Sequence, residues 1–256
     1  MIFIKKSLKL ALSVLRAIKD KIRSYLLRGS NVVCPICKKS FITFLPFGVA
    51  PSPKRANAQC PACYSLERTR LYWLYLNSVG GFFDSTRNVL HVAPEQGLFK
   101  IFKKNKNFNY YPIDRFEMGY SYPKGTINMD ITSLDFPENF FDFILCSHVL
   151  EHVTNDYSAM KEFHRVLRKD GFGILQVPID NAREVTYEDS AIISPEERVK
   201  AFGQFDHVRV YGKDYKNRLE QAGFIVEIQD YVSKLTEADR FKYGLAKGEL
   251  LYIVRK

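Results

Sequence analysis

The chain has 256 residues, 46% apolar and 26% charged, a balance that excludes a disordered protein and fits one large domain or one domain plus a small module. No apolar run reaches the ~18 residues of a membrane-spanning helix, and five cysteines are too few for a disulfide scaffold. The net charge of +10 points to an anionic partner, but residues 1–30 carry +7, residues 31–80 carry +5 and residues 81–256 carry −2.

Residues 2–27 read as a basic amphipathic helix. Ile4, Leu8, Ala11, Leu15, Ile18, Ile22 and Tyr25 recur every three or four residues, one helix face, while Lys5, Lys9, Arg16, Lys19 and Arg23 lie largely off it. Such a helix either lies in a membrane interface, bases toward lipid phosphates, or packs on its own domain or another subunit. Charges interrupt every apolar run, which argues against a cleaved signal peptide.

Next come Cys34-Pro-Ile-Cys37 and Cys60-Pro-Ala-Cys63, two pairs separated by 22 residues. Two thiolates at this spacing grip one ion from a tight turn. Two such turns complete a closed tetrahedral sulfur shell suited to structural zinc, with no open position for chemistry. The intervening segment, with Pro46, Gly48, Pro51 and Pro53, reads as a hairpin or loop. A helix over 65–77 then links this module to the C-terminal two thirds of the chain.

From about residue 85, apolar runs alternate with helical patterns. Val89–Ala93, Tyr110–Ile113, Phe143–Cys146, Gly173–Val177, Phe224–Ile228 and Leu251–Val254 read as strands. Leu98–Lys104, Tyr157–Arg168 and Tyr215–Ala222 read as helices, with Gly171 and Gly223 as expected C-terminal caps. This alternation predicts an α/β fold with a doubly wound, mainly parallel sheet. Ligands of such sheets bind beyond the carboxyl ends of the strands, here after Ala93, at Asp114, at Asp130 and at Ser147–His148.

The ordered set Val89-Leu90-His91-Val92-Ala93-Pro94-Glu95-Gln96-Gly97, Tyr111-Pro112-Ile113-Asp114, Asp130-Ile131, Phe141 to Val153, and Arg165 to Gly173 resembles a class I S-adenosylmethionine-dependent methyltransferase of the small-molecule O-methyltransferase type. Adding the two cysteine pairs, the whole is similar to bacterial methyltransferases of surface-glycan gene clusters. The resemblance implies a seven-stranded Rossmann-like sheet and a division into a basic arm (1–30), a four-cysteine zinc module with its linking helix (31–80) and a methyltransferase domain (81–256). It implies S-adenosylmethionine as cofactor, a small-molecule or glycan hydroxyl as acceptor, and a cytoplasmic protein, at the inner membrane face if the arm docks there.

By the same resemblance, Asp114 accepts the ribose hydroxyls, Asp130 and Ile131 flank the adenine, and Ser147 borders the site. The first loop departs from the family's acid-x-Gly-x-Gly-x-Gly, with His91, Ala93, Glu95 and Gly97 at the acid and glycine positions. Ala93 is tolerable there if its φ is negative. Glu95 either replaces the missing acid and binds the cofactor's ammonium, or marks a site that has lost its cofactor. For a hydroxyl acceptor a base is useful, and His148, His152 and His207 are the candidates. Arg209, beside His207, is a candidate for holding a carboxylate or phosphate. His148, Glu151 and His152, at i, i+3 and i+4, also fit one side of a helical turn and a facial metal site.

Two other classes stay open. A zinc-ribbon RNA methyltransferase would grip RNA through the basic module, although residues 81–256 are net negative. A non-catalytic binding protein would follow from a degenerate cofactor loop.

Overall fold

The computed structural model describes residues 18–49 and 53–256. Of the basic arm it describes helix α1 over residues 18–26, and the expectation for residues 2–17 lies outside the described residues. Ile18, Ile22, Tyr25 and Leu26 are exposed on α1. Among the described residues no helix is long and apolar enough to cross a membrane.

The cysteine module comes next. Strand β1 (Arg28–Val33) pairs antiparallel with β2 (Ser40–Phe41) across the first cysteine turn. Strand β3 (Leu45–Phe47) pairs with β4 (Arg55–Gln59) as the expected hairpin. Helix α2 (Glu67–Ser78) leaves the second cysteine turn, where the sequence placed a helix.

The remainder is a seven-stranded sheet of order β12-β13-β9-β8-β5-β6-β7. Its strands are β5 (Arg87–Val92), β6 (Phe108–Asp114), β7 (Ile127–Asn128), β8 (Phe141–Ser147), β9 (Leu167–Gln176), β12 (Ile225–Gln229) and β13 (Leu251–Arg255). β5 is parallel to β6 and β8, and β8 to β9, whereas β13 runs against both of its neighbours. Helices α3 (Gln96–Lys104), α4 (Asp156–Val166) and α6 (Tyr215–Gln221) connect the strands. Between β9 and α6 lie a two-residue hairpin, β10 (Tyr187–Glu188) with β11 (Arg209–Val210), and helix α5 (Pro195–Phe202). Helix α7 (Glu237–Tyr243) precedes β13.

Period-2 alternation sends the sheet's apolar side chains into two cores. Ile144 and Cys146 of β8 join Leu90 of β5, Met160 and Phe163 of α4 and Leu219 of α6 on one face. Phe143 and Leu145 join Val89, α2 residues Leu71, Tyr72 and Leu76, and α3 residues Leu98 and Phe102 on the other. Val32, Cys34, Phe41 and Phe44 of the cysteine module belong to that second core. The module is thus built into the sheet's packing, and Cys146 is a buried core residue.

One cap differs from expectation. Gly223 does follow α6 in a left-handed conformation, φ +110°. Gly171, however, lies inside β9, because α4 ends at Val166 and the chain turns straight into strand. A Cβ on Gly171 would come within 3.0 Å of the Asp142 carbonyl on β8, so glycine serves strand approach there.

Arg70 of α2 is fully buried and ties the module to the C-terminal segment. Its Nε donates to the Tyr243 carbonyl at 2.6 Å, Nη1 to Ala58 at 3.0 Å and Ser65 at 2.7 Å, and Nη2 to Gly244 at 2.6 Å. The guanidinium also stacks over Phe44, 4.2 Å from the ring centre. Gly244 has φ +57°, and a Cβ there would fall 2.6 Å from the Phe44 ring, so this close approach admits only glycine. Arg70→Met would take a donor from four carbonyls, of which Ser65 O keeps the Cys60 N–H. The expected loss is about 3–5 kcal/mol, read as a lower urea midpoint, with Arg70→Lys between the two.

Candidate functional site

The two cysteine turns are built alike. Lys38 N donates to Cys34 O and Cys34 N to Lys39 O, both at 2.9 Å; Tyr64 N donates to Cys60 O at 3.0 Å and Cys60 N to Ser65 O at 2.9 Å. Lys38 and Tyr64, each just past the second cysteine of its pair, are left-handed, φ +61° and +63°. The turns bring Cys34 Sγ to 3.6 Å from Cys63 Sγ and Cys37 Sγ to 3.7 Å from Cys60 Sγ. A tetrahedron with Zn–S bonds of about 2.3 Å has edges of about 3.8 Å. All four cysteines are free thiols within one 4.8 Å cluster, and the donor set fits zinc. Ser65 Oγ lies 3.4 Å from Cys34 Sγ and 3.2 Å from Cys63 Sγ, bracing two of the donors.

The strand ends line up as the sheet order dictates. Asp114 closes β6, half-buried, and burial pushes its carboxyl up. Asp130 Oδ1 accepts from Thr132 N at 2.8 Å and Thr132 Oγ1 at 2.7 Å, which lowers its pKa, while Oδ2 stays 4.0 Å from Arg115. Ile131 is buried in the first core. Ser147, ending β8, shares a 2.9 Å hydrogen bond with the Tyr72 hydroxyl of α2.

The loop after β5 differs from expectation at Ala93. Its φ is +45°, so this alanine takes the left-handed conformation at a cost of about 1–2 kcal/mol. Gly97 has no such need; a Cβ there would touch Ser65 and Ile36, where α3 passes the cysteine module. His91 is fully buried, its Nδ1 2.9 Å from the Tyr110 hydroxyl. Glu95 sits between His91 Nε2 and Arg68 Nε, each 3.6 Å from one of its oxygens. At that distance neither contact is a hydrogen bond. Both Glu95 oxygens, His91 Nε2 and Arg68 Nε are therefore buried without a partner. Burial alone would raise the Glu95 carboxyl, but His91 and Arg68 hold it below the usual carboxylate range. The helix pattern alone gave no reason to single out Arg68.

A cavity of about 540 Å³ opens beside these residues. Its floor is His148, Gln176 and Val177 at the ends of β8 and β9; its walls are Phe47, Val49 and Arg55 of the β3–β4 hairpin, Glu67 and Arg68 of α2, and Glu249 before β13. Burial pushes the Glu249 carboxyl up. Glu151, His152 and His207 line the remaining side. All three candidate histidines thus reach one cavity. Asp114 and Asp130 lie beyond β5, toward the other edge of the sheet. His148 is held with φ +54°, its N donating to Gln176 O at 2.8 Å and its Nδ1 3.4 Å from Glu151 Oε1. Burial and the neighbouring His152 hold the His207 imidazole below its usual value.

Arg209 faces away from this chemistry. It is buried and donates to the carbonyls of Leu150, Val153 and Thr154 and to Glu188, which leaves no free donor face for a ligand carboxylate or phosphate.

The sheet order, with its single antiparallel strand next to one edge, defines a Rossmann-like α/β fold of the class I methyltransferase type. Residues 82–175 match the family described as "Methyltransferase domain", and this stretch is similar to that family. Over 49 residues the chain is 41% identical to the ubiquinone/menaquinone biosynthesis C-methyltransferase of Coxiella burnetii, a match covering 19% of this chain and a fifth (20%) of that enzyme. Among solved structures it is similar to an S-adenosylmethionine-dependent methyltransferase from Mesorhizobium loti, with TM-score 0.50, 15% identity, and coverage of 72% of this chain and 97% of that one. A methyltransferase from Archaeoglobus fulgidus aligns with TM-score 0.47, 14% identity, and coverage of 73% and 93%.

Metal analysis of the dialysed full chain is expected to find one tightly held zinc. Cys60→Ser should remove it and lower the melting temperature by roughly 10 °C or more, since metal-binding energy is folding energy here.

Proposed function

We infer that the protein transfers a methyl group from S-adenosylmethionine to a hydroxyl of a small-molecule or glycan acceptor seated in the cavity beside His148. The observation that carries this reading is the set of unpartnered atoms on Glu95, His91 and Arg68. His91 and Glu95 lie at the end of β5, with Asp114 on the next strand end, and Arg68 reaches Glu95 from α2 at the cavity wall. Buried polar atoms without partners call for a ligand. An amino acid zwitterion answers them: an ammonium for Glu95, a carboxylate for Arg68. The reading in which Glu95 replaces the family's acid is therefore preferred to a site that has lost its cofactor. Asp114 would take the ribose hydroxyls from the next strand end.

When bound, the cofactor supplies an activated methyl group on a sulfonium leaving group. The chain's own contribution is placement of the acceptor and removal of its proton. The cavity's histidines supply the base, and Glu249 supplies a polar contact for an oxygen-rich acceptor. This favours oxygen over carbon as the methylated atom and a glycan-like compound as acceptor.

Calorimetric titration tests the reading. S-adenosylmethionine is expected to bind, with Asp114→Asn and Glu95→Gln each weakening it about tenfold or more. Absence of heat and of a thermal shift at millimolar cofactor would remove the enzyme reading.

The basic arm is assigned to an anionic membrane surface. The exposed Ile18, Ile22, Tyr25 and Leu26 share helix α1 with Lys19, Lys21 and Arg23, which matches an interfacial helix. Ile22→Glu, on an exposed site, should reduce pelleting of the full chain with anionic phospholipid vesicles several-fold. Equal pelleting would withdraw the assignment.

A further inference from the structure

We propose that Glu151, His152 and His207 form a second metal site, distinct from the cysteine shell, that binds a divalent first-row transition ion at the edge of the cavity. The donor atoms of these three residues lie within 4.8 Å of one another. They come from separate stretches. Glu151 and His152 sit on the single turn Leu150–His152 after β8, and His207 on the segment between α5 and β11. Val208 N donates to Glu151 O at 2.9 Å, and this bond holds the two stretches together and sets His207 opposite His152. The two imidazole rings meet edge to face, 4.7 Å between centres.

Three further features fit a metal. Glu151 is 1% exposed, and its Oε2 is buried with no hydrogen-bond partner. A buried carboxylate oxygen without a partner is costly, and a cation satisfies it. Its other oxygen, Oε1, lies 3.4 Å from His148 Nδ1. His152 Nδ1 lies 3.3 Å from Asp206 Oδ2, and Asp206 Oδ1 in turn accepts from Gln204 Nε2 at 2.7 Å. A carboxylate beside the imidazole is the arrangement that accompanies metal-bound histidines.

Cis donors about 2.1 Å from an octahedral ion stand about 3 Å apart, so the cluster closes on an ion with side-chain shifts of about 1–2 Å. Two imidazoles and one carboxylate select a first-row transition ion over calcium or magnesium and leave coordination positions open. Because all three ligands line the cavity, those positions face it. The ion would therefore bind an oxygen of whatever occupies the cavity. Under the methyl-transfer reading, on which this last step alone rests, that oxygen belongs to the acceptor, and the ion would ease loss of its proton. His148 then stands as the histidine left free to receive that proton.

Cobalt(II) is the probe, added to full-length protein whose cysteine shell is already filled with zinc. One further cobalt per chain is expected, with the weak visible bands of nitrogen and oxygen ligation and no sulfur charge-transfer band. His152→Ala and His207→Ala should each weaken it at least ~100-fold, and Asp206→Asn ~10-fold. His164→Ala, a histidine packed on Phe224 away from the cavity, should leave it unchanged. Circular dichroism and cofactor titration confirm that the variants fold. No second cobalt at about 1 mM overturns the proposal, as does equal binding by His207→Ala. Cobalt binding without S-adenosylmethionine binding would keep the metal site and remove only the methyl-transfer reading.

Discussion

The guanidinium of Arg70 is the point on which the arrangement of this protein turns. A charge fully out of water is tolerable only where its donors are engaged, and here four carbonyls from three stretches of chain engage them. Burial pulls its pKa down, and neighbouring acidic groups offset this only in part. The cysteine module supplies two of the hydrogen-bond acceptors. Arg70 in turn fixes where α2 begins, and α2 carries Arg68 to Glu95 and Tyr72 to Ser147. Through these contacts a buried cation outside the cavity decides how its polar groups are presented.

Backbone strain collects where the chain meets the site. Ala93 and His148 are both left-handed, and both follow the carboxyl ends of central strands. Neither is glycine, so each costs folding free energy that the surrounding sheet must supply. The strain turns the chain sharply at the strand end. His148 is thereby aimed into the cavity rather than along the sheet.

Much of the sheet was legible because its strands alternate apolar residues facing two cores, and such runs show in a sequence. Six expected strands appear, five within a few residues of their places and β9 beginning at Leu167 instead of Gly173. The two-residue β7 was invisible, having no apolar run to betray it. Helix α5 went unread although Ser194-Pro195-Glu196-Glu197 is a capping box with proline at its first turn. Gly171 misled because a glycine near a helix end looks like a cap, whereas the need for it comes from the neighbouring strand. The cysteine shell was readable from spacing alone. The Glu95–Arg68 contact and the meeting of His152 with His207 were not, because each joins segments that only the fold brings together. Arg209 misled for the same reason, as its partners are distant carbonyls.

The β3–β4 hairpin lends Phe47, Val49 and Arg55 to the cavity wall, while the floor comes from the ends of β8 and β9. Wall and floor are thus encoded in separate stretches of the gene. The hairpin is anchored by the sulfur shell at its base and is not threaded through the sheet. Its tip can diverge among descendants of this chain without disturbing the strand ends, so selectivity and chemistry are free to evolve at different rates.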